Sequence, residues 1–146
     1  MPPQDVLRDL ELLFQSRYGL LHLDTNESER ALSLLQHVAD RISTPLFSWS
    51  PIEGIHRVGW TGGIFETKGI RQAMAHVAAA DIPAIYHFHN IGSHLASDEI
   101  VRAQLMAGAR KLESMNGAVV LTGADLALPT DLDPMAATLV LPAPGE

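Results

Sequence analysis

Apolar positions along the chain follow two spacings that alternate. From Asp5 to Gln15, Val6, Leu7, Leu10, Leu13 and Phe14 recur at helical spacing, with Asp5 as an acidic cap. After Tyr18-Gly19, the run Leu20-Leu21-His22-Leu23-Asp24 has the composition of a buried strand and stops at Thr25-Asn26, where turn and cap chemistry begins. From Glu27 to Ile42 the set Ala31, Leu34, Leu35, Val38, Ala39, Ile42 predicts a second helix, and Asn26 with Glu29 resembles a capping box. Residues 45–50 read as a second strand, and the glycine-punctuated stretch from Pro51 to Gly63 as irregular. Ile70, Met74, Val77 and Ala78 define a helix beginning near Thr67 and ending before Pro83. Ala84 to His89 is a third strand. Ser97-Asp98-Glu99 caps a helix that stops at Asn116-Gly117, a fourth strand spans Ala118 to Thr122, and Ala137 to Leu141 supplies a short fifth.

Strands alternating with helices predict a single α/β domain over residues 1–146, a three-layer sandwich around a mainly parallel five-stranded sheet. Composition fits a packed core: 47% of the 146 residues are hydrophobic and 18% charged. No apolar run approaches the roughly 20 residues that cross a bilayer. The first residues lack a basic and an apolar region, so neither a membrane nor export is expected and the predicted location is cytoplasmic. Without cysteine there is no disulfide, thiolate metal site or thiol nucleophile. A formal charge of −7, with scattered lysines and arginines, opposes binding of a nucleic acid backbone.

In such a sheet ligands gather at the carboxyl ends of the strands. A phosphate loop after the first strand needs glycines, a lysine and a hydroxyl. This chain has Asp24-Thr25-Asn26-Glu27-Ser28-Glu29, whose carboxylates repel phosphate at a helix N-terminus. Gly59-Trp60-Thr61-Gly62-Gly63 precedes Lys68-Gly69 without a Gly-Lys-Ser/Thr string. Three histidines, His87, His89 and His94, fall close together, and the alternate residues His87 and His89 share one face of a strand. They form a candidate metal site, weighed against a plain strand end in a histidine-rich chain. Ser48, Ser50, Ser93 and Thr122 lie near strand ends without a Gly-x-Ser-x-Gly elbow. Asp24, Thr25, Thr122 and Asp125 outline a candidate crevice for a small metabolite, and Trp49, Trp60, Gly62 and Gly63 a candidate contact surface, against the commoner burial of each indole ring in the core.

The blocks RYGLLHLDTNESERALSLLQHVAD, TPLFSWSPIEGIHR, IPAIYHFHNIGSHL and AVVLTGADLALPTDLDPMAATLVLPAPG together resemble the N-terminal region of AAA-family ATPases of the hypothetical chloroplast reading-frame type, found in chloroplasts and cyanobacteria. The similarity runs from about Asp5 to Gly145, and DTNESER and LTGADLALPTDL are its most specific parts. It implies a RecA/AAA-like fold lacking the phosphate loop, placed ahead of a separate, catalytically equipped AAA+ module. His89 and Asn90 then stand where a Walker B strand ends in carboxylates, and Thr122 at a sensor position. The implied function is a non-catalytic accessory domain without a cofactor. It would dock on an AAA+ module in cis or in trans, or self-associate, in the cytoplasm or the plastid stroma. The alternative is a small metal-dependent or metabolite-binding protein using His87, His89 and His94.

Overall fold

The computed structural model describes residues 3–123 and 126–141. Helix α1 (Pro3–Gln15) leads into strand β1 (Leu20–Asp24), followed by α2 (Ser28–Ile42), β2 (Leu46–Ser50) and β3 (Gly54–Arg57). Then come α3 (Ile70–Ala78), β4 (Ile85–His89), α4 (Gly92–Ser97), α5 (Glu99–Ser114), β5 (Ala118–Thr122), a 3₁₀ turn (Asp133–Met135) and β6 (Ala136–Val140).

The strands form one sheet in the order β3-β2-β4-β5-β1-β6. Every neighbouring pair is parallel except β2 and β3, which run antiparallel. The sheet therefore has six strands, not the five expected, and the addition lies in the stretch read as irregular. Ser50 pairs with Gly54 across a three-residue loop, and Gly54 takes φ 74°, the left-handed residue that closes such a hairpin. Ile-Glu-Gly is a weaker hairpin signal than Asn-Gly, so the turn did not stand out in the sequence.

Two apolar layers cover the sheet. Leu21, Leu23, Ile85 and Val120 pack with α1 and α2 on one face. Leu20, Phe88, Val119 and Leu121 pack with α3, α5 and the segment around Leu132 on the other. This is the three-layer arrangement expected, and it explains why β5 is buried at every position and reads as a continuous apolar run. The chain crosses from β1 to β2 under α2, then returns through β4 and β5 under α3 and α5. Reversing direction moves the connections to the opposite face, as right-handed crossovers require. The neighbours β1 and β5 thus send their connections to opposite faces, which defines the topological switch point.

Helix boundaries differ from expectation where local hydrogen bonds decide them. At α2 the Thr25 hydroxyl accepts from Glu27 N at 3.1 Å, and the cap residue is Glu27, without the box proposed for Asn26 and Glu29. Helix α3 starts after Gly69, whose N–H donates to the Gln72 side chain at 3.2 Å. Asp98 caps α5 as expected, accepting from Ile100 N and Val101 N, and is also gripped by Arg71 of α3 at 2.7 Å.

Candidate functional site

The carboxyl ends of β1, β4 and β5 meet at the switch point. Leu23 pairs with Thr122, and Thr122 with His89, so the three strands end level with one another. The β1 and β5 loops are stitched together: Gly123 N donates to Thr25 O at 2.9 Å, and His22 Nε2 lies 3.3 Å from Gly123 O. Asp24, Thr25 and Thr122 lie together at this seam, with Thr25 and Thr122 buried. Asp125, the fourth crevice residue, lies outside the described residues.

Open space lies one strand over. A cleft of about 440 Å³ between the β4 and β5 loops is lined by Asn90, Gly92, Ser93, Thr122, Gly123 and Leu126. Asn90 adopts φ 57°, and its N–H donates to Thr122 O at 3.0 Å. Gly123 has φ 138°, a conformation that strains any other residue, and a Cβ there would stand 2.9 Å from Asn90 Oδ1, so a side chain would displace the Asn90 amide. Asn90 and Gly92 carry no sequence motif for a cleft; Ser93 was visible only as a hydroxyl near a strand end.

Alternation along β4 places His87 and His89 on the same face, with ring centroids 6.4 Å apart. Each is engaged by hydroxyls. His87 Nδ1 lies 2.9 Å from Ser48 Oγ and its Nε2 2.8 Å from Thr122 Oγ1, while His89 Nδ1 is 2.6 Å from the same Thr122 oxygen. Burial, reinforced by His89, pushes the His87 imidazole down to about 3, so it is neutral at physiological pH. Burial also lowers His89. His94 stands apart, exposed on α4, and both His87 nitrogens already have partners. Among the described residues no group of three or more metal-ligating side chains comes together, which leaves the metal-site alternative without support.

Of the expected contact residues, Trp49 is buried. Its ring N–H donates to Thr67 O at 2.8 Å, and the ring packs 5.8 Å from Phe88. Trp60 is 66% exposed with Arg57 above its ring, and Gly62 and Gly63 are exposed beside it. Ile52 and Phe65, 80% and 86% exposed, flank the same connection and were not singled out from sequence.

The fold and the switch point define an α/β domain of the kind that places ligands at strand ends. A sequence model of the family described as SpoVK-like AAA ATPase, N-terminal domain, matches residues 6–141, and the chain belongs to that family. This agrees with the expected AAA ATPase N-terminal domain; the match names the SpoVK-like family and not the chloroplast reading-frame type. No curated protein matches the chain. A solved structure, a DNA replication initiation factor, superposes with a TM-score of 0.54 at 11% identity, over 92% of this chain and 44% of that one. The chain thus spans less than half of that protein, and the likeness is one of fold. No helix among the described residues is long and apolar enough to cross a membrane.

Proposed function

We propose that this chain is a non-catalytic accessory domain of an AAA ATPase, a degenerate P-loop domain that acts by docking, assembly or regulation and hydrolyses no nucleotide itself. One observation carries the reading: the junction from the end of β1 into the first turn of α2, Asp24 to Glu29, where this fold would hold a phosphate, has three carboxylates and neither glycine nor lysine. Of its backbone donors, the Glu27 N–H is already held by the Thr25 hydroxyl at 3.1 Å. At the end of β4, His89 and Asn90 replace the carboxylates that would hold Mg²⁺. The family membership supports an AAA ATPase context, and the finer placement with the chloroplast reading-frame type rests on the four sequence blocks.

The partner under this reading is an AAA+ module, in cis or in trans, in the cytoplasm or the plastid stroma. Ile52, Trp60 and Phe65 are large apolar side chains left mostly in water near the β3 edge, the composition of a contact surface. The pair Trp60→Ala and Phe65→Ser is expected to weaken association with the module by about tenfold or more while the thermal midpoint stays near that of the parent. Fluorescence anisotropy with a labelled module and a melt measure both. Unchanged affinity would move docking elsewhere, and loss of a homodimer in place of the module would favour self-association.

A further inference from the structure

Ser48, His87, Thr122 and His89 form a continuous hydrogen-bonded chain across β2, β4 and β5, with contacts of 2.9, 2.8 and 2.6 Å. Three members are buried, and His89, at the carboxyl end of the sheet, is half-buried. Among the described residues Gln104 Oε1 is the one buried side-chain polar atom without a partner, so His89 Nε2 is not sealed in. A neutral imidazole has one donor and one acceptor nitrogen, and a threonine hydroxyl has a single proton. The hydroxyl oxygen also has two lone pairs and can accept from both rings. Among the described residues, however, the Thr122 side chain has no partners besides these two ring nitrogens, so its proton goes to one of them and two orders are consistent. In the first, Ser48 donates to His87 Nδ1, His87 Nε2–H donates to Thr122, and Thr122 donates to His89 Nδ1, leaving His89 Nε2–H as an outward donor. In the second every bond is reversed, His87 and His89 carry their protons on Nδ1, and His89 Nε2 is an outward acceptor.

The geometry points to a proton-ordered relay, in which the hydrogen-bonding role demanded of His89 Nε2 by a group at the carboxyl end fixes the tautomer of His87 and the role of Ser48. The outward group is defined by its chemistry: an acceptor such as a carbonyl or carboxylate selects the first order, and a donor such as a hydroxyl or amide N–H the second. A proton added to His89 also selects the second order, because Nδ1–H must then donate. The net change is uptake of one proton at His89 and relocation of the His87 proton from Nε2 to Nδ1, with no other bond made or broken. The charged side chains from the end of β1 to the first turn of α2 are Asp24, Glu27, Glu29 and Arg30, with Arg30 Nη1 3.7 Å from Glu27 Oε2. Strands β2 and β5 contribute to the chain only the uncharged Ser48 and Thr122. The relay does not depend on the accessory-domain reading, since it concerns how this end of the sheet responds to whatever touches it.

Long-range ¹H–¹⁵N correlation spectra of the whole chain resolve which ring nitrogen of each histidine is protonated. At neutral pH the relay places the proton on the same nitrogen in His87 and His89, in the parent and in Thr122→Ser, which keeps the hydroxyl. As the pH is lowered through the His89 titration, His87 must hold its proton on Nδ1 whenever His89 is doubly protonated, and Thr122→Val must release this requirement. Opposite tautomers at neutral pH, or His87 protonated on Nε2 beside a doubly protonated His89, would overturn the proposal. If the fold is lost before His89 titrates, the neutral-pH comparison decides alone.

Discussion

Replacing His87 with alanine lowers the stability of the domain by about 3 kcal/mol or more near pH 7.5, as the sum of a cavity, a stranded Ser48 hydroxyl and a Thr122 hydroxyl left with His89 alone. The side chain is 1% exposed and satisfies Ser48 and Thr122 simultaneously, so its removal leaves two buried oxygens each short of a partner. The same variant changes the pH dependence. In the native state His87 is held near 3, below its ordinary 6.5, so between these values the unfolded chain binds a proton that the folded chain refuses. Native stability is therefore full above about 6.5 and declines as the pH falls toward 3, by about 2 kcal/mol at pH 5. His89, also depressed by burial, acts in the same direction. Urea unfolding of parent and His87→Ala at a series of pH values between 7.5 and 5 measures both effects. The variant starts lower and loses most of the slope; an identical slope in the two proteins would mean that His87 is not the group refusing the proton.

The second large effect is expected at Gly19, where the chain turns from α1 into β1. A Cβ at this position would stand 2.1 Å from Ala109 O and 2.9 Å from Glu113 Cβ, both on α5. The nearer obstacle is backbone, which cannot rotate aside, and Gly19 O is itself held by Val119 N at 2.8 Å. Gly19→Ala must push α5 away from the start of β1, a strand paired on both sides, at a cost of about 3 kcal/mol. Thermal and urea midpoints report it directly. An unchanged midpoint would show that β1 and α5 are less closely joined than their contact at Gly19 indicates.

Particular residues show which parts of this protein could be read from the sequence. Helices α2 and α5 were legible because each carries an apolar stripe at helical spacing between recognisable ends, and β5 because a strand buried on both faces is a continuous apolar run. Strand β3 was not, since it is four residues long, opens on Gly54 and has Ile55 as its one buried apolar side chain. That the ends at Asp24, His89 and Thr122 lie on one side of the sheet was legible, because parallel strands end together; that they are neighbours at a switch point was not, because the strand order depends on long-range pairing. That His87 and His89 share a face followed from alternation. Their engagement by Ser48 and Thr122 did not, because those hydroxyls arrive from strands 39 and 35 residues away in the chain. The separation of His94 depended likewise on where the short helix α4 sets out after Asn90, which spacing in the chain cannot give. Trp49 and Trp60 are alike in sequence, yet Trp49 lies on the inward side of β2 and Trp60 in the loop beyond β3.

Under the proposed function, the carboxylates of Asp24, Glu27 and Glu29 repel nucleotide phosphate at the switch point. Isothermal titration of the chain with Mg-ATP tests this repulsion most directly. No heat of binding is expected at millimolar nucleotide and no phosphate is released; saturable binding with a micromolar dissociation constant would overturn the proposed function.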